Sequence, residues 1–221
     1  MKRLLLAGIA FCALVPAAAL AADLPAAVPM KGPAYVAAYN WSGLYVGVNA
    51  GYGWASGSLK GALGGAQLGY NVQMGSVVLG LETDIQATGM KATMTIVDPP
   101  DTITDTQKLT WFGTTRARVG FAVDRLLPYF TGGVAYGQRK SDGTVTGGVT
   151  GNYTMSATKV GWTAGAGIEG ALAGNWTWKV EYLYLTLPGY TATAPLTGGT
   201  IENEYNKLTT NIVRAGVNLR F

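Results

Sequence analysis

Leu208-Thr209-Thr210-Asn211-Ile212-Val213-Arg214-Ala215-Gly216-Val217-Asn218-Leu219-Arg220-Phe221 is the stretch whose reading decides the fold. From Val213 every second residue is apolar: Val213, Ala215, Val217, Leu219 and Phe221. The alternate set is Arg214, Gly216, Asn218 and Arg220. Strict period-2 alternation describes a β-strand with one apolar and one polar face. The printed sequence stops on an aromatic. A surface terminus in water normally frays, whereas a strand whose outer face meets lipid and ends at an aromatic girdle accounts for both features. An edge strand of a soluble sandwich is the competing reading until the rest of the chain is weighed.

Composition favours the first reading. The 221 residues include 32 Gly, and only 13% are charged while 48% are apolar. No run of about 20 apolar residues follows the N-terminal region, so a transmembrane helix is not expected; the apolar content is spread through alternation instead. The formal charge of +4 comes from dispersed basic residues, which gives no nucleic-acid signal. Residues 1–21 read as a secretory signal: Lys2 and Arg3, an apolar core from Leu4 to Val15, and small residues at Ala19-Leu20-Ala21. The lone cysteine, Cys12, falls inside that core, so disulfides are not expected beyond it. Residues 22–40, with Pro25, Pro29 and Pro33, read as an extended lead segment, and residues 41–221 as one domain.

Working back from the C-terminus, the same alternation recurs seven more times. It appears from Trp41 to Trp54, Leu63 to Met74, Val77 to Gln86, Leu109 to Phe121, Leu127 to Gln138, Val160 to Glu169 and Trp176 to Tyr184. On the fourth segment the apolar set is read as Leu109, Trp111, Gly113, Thr115, Ala117, Val119 and Phe121. Connections are short at Gly75-Ser76, Asp124-Arg125 and Ala173-Gly174-Asn175, and long at 88–107, 139–155 and 188–207. Short turns on one rim and long loops on the other are the pattern of an all-β, eight-stranded antiparallel transmembrane β-barrel, short toward the periplasm. A lipocalin-like soluble barrel would invert the faces. It would then present sparsely charged Gly, Thr, Asn and Gln to water.

Aromatics gather at both ends of the apolar face. Trp41, Phe121, Phe130, Trp176, Trp178 and Phe221 are expected at one membrane interface, and Trp54, Trp111, Tyr136, Trp162 and Tyr184 at the other. The polar face carries nine charges: Arg116, Arg118, Lys179, Arg214 and Arg220 against Glu82, Asp84, Glu169 and Glu181. An eight-stranded barrel is just wide enough for side chains to fill it. Unpaired charges there would be costly, so a salt-bridge network plugging the lumen is expected; a lined ion path is the alternative. The chain has no histidine, which excludes Ser/His/Asp catalysis and histidine metal sites. Glu82 and Asp84 are read as counter-ions to arginine rather than as a catalytic pair, and no enzyme activity or cofactor is expected.

Asn40-Trp41-Ser42-Gly43-Leu44-Tyr45-Val46-Gly47-Val48-Asn49-Ala50-Gly51-Tyr52-Gly53-Trp54, Pro128-Tyr129-Phe130-Thr131-Gly132-Gly133-Val134-Ala135-Tyr136-Gly137, Lys179-Val180-Glu181-Tyr182-Leu183-Tyr184 and the ending from Arg214 to Phe221 together resemble the small porin-family outer-membrane proteins of alphaproteobacteria. That group includes RopB-type and haemin-binding surface proteins. The resemblance implies an OmpA-like barrel in the Gram-negative outer membrane with a mainly structural and surface role; small-solute passage, adhesion and haemin binding are the alternatives. Without histidine, haemin could be held only by a loop Tyr or Met, such as Tyr153 or Tyr190. The expected partners are outer-membrane lipid and lipopolysaccharide, and the barrel assembly machinery acting on the strand that ends at Phe221. Nucleic acid is not expected, and the barrel is read as a monomer.

Overall fold

The computed structural model describes residues 39–55, 58–148, 150–197 and 199–221. The predicted leader and nearly all of the lead segment lie outside the described residues. The strands are β1 Gly43–Ala55, β2 Lys60–Met74, β3 Val77–Asp98, β4 Asp101–Phe121, β5 Leu126–Thr146, β6 Gly151–Ala171, β7 Trp176–Leu187, β8 Tyr190–Leu196, β9 Gly199–Tyr205 and β10 Leu208–Arg220. Eight of them close in the order β1-β10-β7-β6-β5-β4-β3-β2, while β8 and β9 form a separate hairpin. All pairings are antiparallel. Closure is made by β10 against β1, with Val48 opposite Val217 and Gly51 opposite Arg214.

Alternation puts the apolar set outside. Val48, Leu81, Ile85, Phe130 and Val160 are all more than half exposed, an arrangement that water would not tolerate over so wide a belt. On β3 the outward apolar run goes from Val77 to Ala87. Ten residue steps cover about 34 Å of strand, or about 26 Å of height at the usual barrel tilt, close to the roughly 25 Å apolar band of outer-membrane barrels. The nine charged residues of the polar face are all buried inside, which is the reverse of a lipocalin-like barrel. The rim with short turns is formed at Gly75 and Gly174, whose φ of +63° and +62° favour glycine.

Two expectations about the elements are corrected. The segments read as long loops are mostly strand. β3 and β4 continue as a paired ribbon to Asp98 opposite Asp101. β5 and β6 pair out to Val145 opposite Gly151, and 188–207 holds the β8–β9 hairpin. Beyond the apolar band no greasy face is needed, so the alternation is carried by threonines instead, with Thr93 bonded to Thr106 at 3.1 Å and Thr95 to Thr104 at 3.4 Å. β-branched Thr suits a pleated surface without marking it as apolar. The second correction concerns Leu109, which is fully buried rather than lipid-facing. Between Leu109 and Trp111 the ladder shifts register, and the extra residue, Thr110, exchanges the two faces of β4 beyond it.

Candidate functional site

The interior is filled in layers. At the short-turn rim, Trp41, Val78 and Leu127 form a buried cluster with Tyr39 packed against it. Trp41 was expected at the membrane interface but lies wholly inside, because it precedes β1 and its backbone N–H donates to Gln73 Oε1 at 2.7 Å. Arg220 caps the same cluster. It donates to the carbonyls of Asn40 at 3.0 Å and Ser42 at 2.9 Å, and its guanidinium lies 5.4 Å from the Trp41 ring. Arg220 is therefore buried as expected but stands apart from the other eight charges.

Those eight, four of each sign, meet in the middle layer. β4 supplies Arg116 and Arg118, β7 Lys179 and Glu181, β10 Arg214, β3 Glu82 and Asp84, and β6 Glu169; all are buried. Arg116 reaches Glu82 at 2.6 Å, Asp84 at 3.0 Å and Glu181 at 3.0 Å. Arg214 crosses from the closing strand to Glu181 at 2.7 Å and Asp84 at 3.0 Å. Lys179 reaches Glu82 at 2.8 Å and Arg118 reaches Glu169 at 2.7 Å. Each carboxylate thus meets at least one cation, as the cost of burying ionised groups demands.

Two tyrosines that had not been singled out complete this layer. Tyr45 donates to Glu82 Oε2 at 2.7 Å and accepts from Arg118 at 3.0 Å. Tyr129 donates to Glu181 Oε2 at 2.9 Å while Arg118 stacks 4.0 Å from its ring centre. Each lies across a paired glycine, Tyr45 over Gly69 and Tyr129 over Gly167. A Cβ on Gly69 would stand 2.3 Å from the Tyr45 ring, so glycine is what lets the ring lie flat across the lumen. Their odd numbering on the polar face was the available signal.

Toward the other rim a third layer is apolar: Leu63, Met90, Leu109, Phe112, Leu183, Leu185, Leu187 and Ile212 are buried together. The signal in the sequence was Leu183, Leu185 and Leu187, apolar residues on the inward parity of Lys179 and Glu181. Above this layer, the inner face of the extended strands is covered by the β8–β9 hairpin, with Val145, Tyr153, Met155, Ala194 and Tyr205 buried between them. A cleft of about 170 Å³ remains beside it, lined in part by Met94, Arg139, Tyr190 and Tyr205. Tyr153 is not an open ligand, since its hydroxyl accepts from Asn203 at 3.3 Å within that core. Tyr190 stacks on Tyr205 with ring centres 4.7 Å apart.

On the outside, the other ten expected interface aromatics point away from the lumen. Trp54, Phe121, Phe130, Trp162, Trp176 and Phe221 are exposed, and Trp111, Tyr136, Trp178 and Tyr184 are half-buried. Two neighbouring pairs touch, Trp111 with Tyr136 at 6.3 Å and Trp162 with Tyr184 at 5.4 Å between ring centres.

The closed antiparallel β-barrel has known counterparts. The model of the outer membrane protein beta-barrel domain matches residues 6–221. The chain belongs to that family. Family members similar to it include the 31 kDa outer-membrane immunogenic protein of Brucella melitensis, 38% identical over the full length of both chains. The 25 kDa outer-membrane immunogenic protein of Brucella canis is 34% identical over 95% of this chain and 94% of its own. The 22 kDa outer membrane protein of Rhizobium leguminosarum bv. viciae is 32% identical over 82% of this chain and 79% of its own. Among solved structures, a major outer membrane protein from Thermus thermophilus shares the fold at a TM-score of 0.50 and 15% identity, covering 80% of this chain and 99% of that one. This is an outer-membrane β-barrel protein of alphaproteobacterial type.

Proposed function

We propose that this barrel is a closed, structural surface protein and not a channel or an enzyme. The observation that carries the reading is the stacking of three filled layers along the lumen, the middle one locked by ion pairs of 2.6–3.0 Å across strands. The extended strands and their covering hairpin are the surface part, directed away from the cell, with the short turns in the periplasm. The relatives' names as outer-membrane immunogenic proteins support an exposed extension. The chain lacks histidine, and Glu82 and Asp84 are both committed to arginines, which supports the absence of catalysis.

Single-channel recording of the refolded protein, beginning at Ala22, in a planar bilayer tests this. No stable conductance is expected, with or without neutralisation of Arg116 and Arg214, because the apolar layer closes the lumen independently. Reproducible openings in the unmodified protein would assign it to small-solute passage instead.

A further inference from the structure

Four lysines fall on one register line of the sheet. Lys60 on β2 pairs with Lys91 on β3, Lys91 with Lys108 on β4, and Lys108 with Lys140 on β5. Paired positions share a face, and here it is the outer one, since Lys91 keeps the outward parity of Ile85 and Ala87. Like charges directly opposite one another repel, so an uncompensated row of four opposes sheet pairing. One carboxylate serves it: Asp142 lies 2.9 Å from Lys108 and 3.1 Å from Lys140. Among the described residues Lys60 and Lys91 have no carboxylate partner. The row keeps an excess of positive charge.

Its level on the barrel says what would neutralise it. Lys60 stands directly across from Trp54. On β3 the outer face runs Ile85 and Ala87, then Lys91, Thr93 and Thr95. On β5 Lys140 lies four residues beyond Tyr136, about 13 Å further along the strand. Apolar and aromatic residues lie below the row and paired threonines above it. That is where a bilayer passes from hydrocarbon to headgroup, and where basic side chains attract anionic lipid. A soluble macromolecule would have to enter the headgroup layer to reach it.

We propose that Lys60, Lys91, Lys108 and Lys140 form a docking row for the phosphate groups of a phosphorylated glycolipid in the leaflet around the extended rim. The assignment of leaflet rests on the orientation given under the proposed function; the affinity for lipid phosphate does not. Lysine is a point charge that takes phosphate without a fixed fork geometry, as a fluid lipid headgroup requires.

The test is the heat-unfolding midpoint of the folded barrel in neutral detergent micelles, with bisphosphorylated lipid A, dephosphorylated lipid A or inorganic phosphate added. Bisphosphorylated lipid A is expected to raise the midpoint, and the other two to leave it nearly unchanged. The variant Lys60→Gln with Lys91→Gln is expected to keep the baseline midpoint and lose at least half of that rise. Lys159→Gln, on the inner face beside Tyr190, is expected to keep all of it. An equal rise in the double variant, an equal rise with dephosphorylated lipid A, or a full rise with inorganic phosphate alone would each overturn the proposal. Micelles have no sides and report no conductance, so the result is independent of whether the lumen is closed.

Discussion

Arg214 reaches three carboxylates, Glu181 at 2.7 Å, Asp84 at 3.0 Å and Glu82 at 3.5 Å, from the strand that closes the barrel. Arg214→Ala would leave buried negative charge short of a partner, which costs about 3–5 kcal/mol. The expected readout is a marked fall in the urea midpoint for loss of the heat-modifiable gel band. Arg220→Gln should do less, about 1–3 kcal/mol, because its partners are neutral carbonyls. Asp142 gives a residue-scale contrast on the outer face of the extended ribbon. The hydrogen bond from Lys108, then that from Lys140, hold its carboxyl down at about 2. A folded value below the unfolded one means the pairing favours the folded ribbon above about pH 4, and that benefit fades as pH falls through 2. A carboxyl-carbon NMR titration should find the midpoint near 2, and Lys108→Gln should move it up toward the ordinary aspartate range.

At the scale of elements, the bulge at Thr110 decides which side of β4 looks inward. Deleting Thr110 would make Leu109 the neighbour of Trp111, so plain alternation would keep Trp111 outward, Leu109 inward and Lys108 outward, and β4 would pair β5 in continuous register. The barrel should still close, and the ribbon beyond Gln107 should stay resistant to limited proteolysis. The same element shows what could be read beforehand. All eight barrel strands and the inward charges were legible, because a barrel wall in lipid must alternate apolar with polar and a packed lumen must pair its ions. The faces beyond Thr110 were not, since a bulge depends on the partner strands and leaves no mark in a single sequence. The upper ribbons were read as loops because threonine alternation outside lipid carries no hydropathy signal. The place of Trp41 was misjudged, since position relative to the strand start, and not residue type, put the ring inside. The lysine row appears only once the register of four strands is known.

For the molecule as a whole, the membrane-level wall and the extension obey different rules. In the wall, the exterior is apolar and the interior is charged, then greasy; in the extension, the outer face is threonine and lysine, and the inner face is covered by the β8–β9 hairpin. The two meet at the lysine row and the Thr110 bulge, and the bulge sets the facing of β4 above that level. The ionic layer also bears on how the barrel is assembled. Its members come from β3, β4, β6, β7 and β10, and Arg214 arrives with the final strand. A chain threaded only as far as β7 would hold Glu82, Asp84, Glu169 and Glu181 against Arg116, Arg118 and Lys179, one positive charge short inside an open sheet. Insertion of β10 corrects that imbalance and seals the seam with β1 in one event. Half-built forms are thereby penalised, and biogenesis should proceed without a long-lived open intermediate.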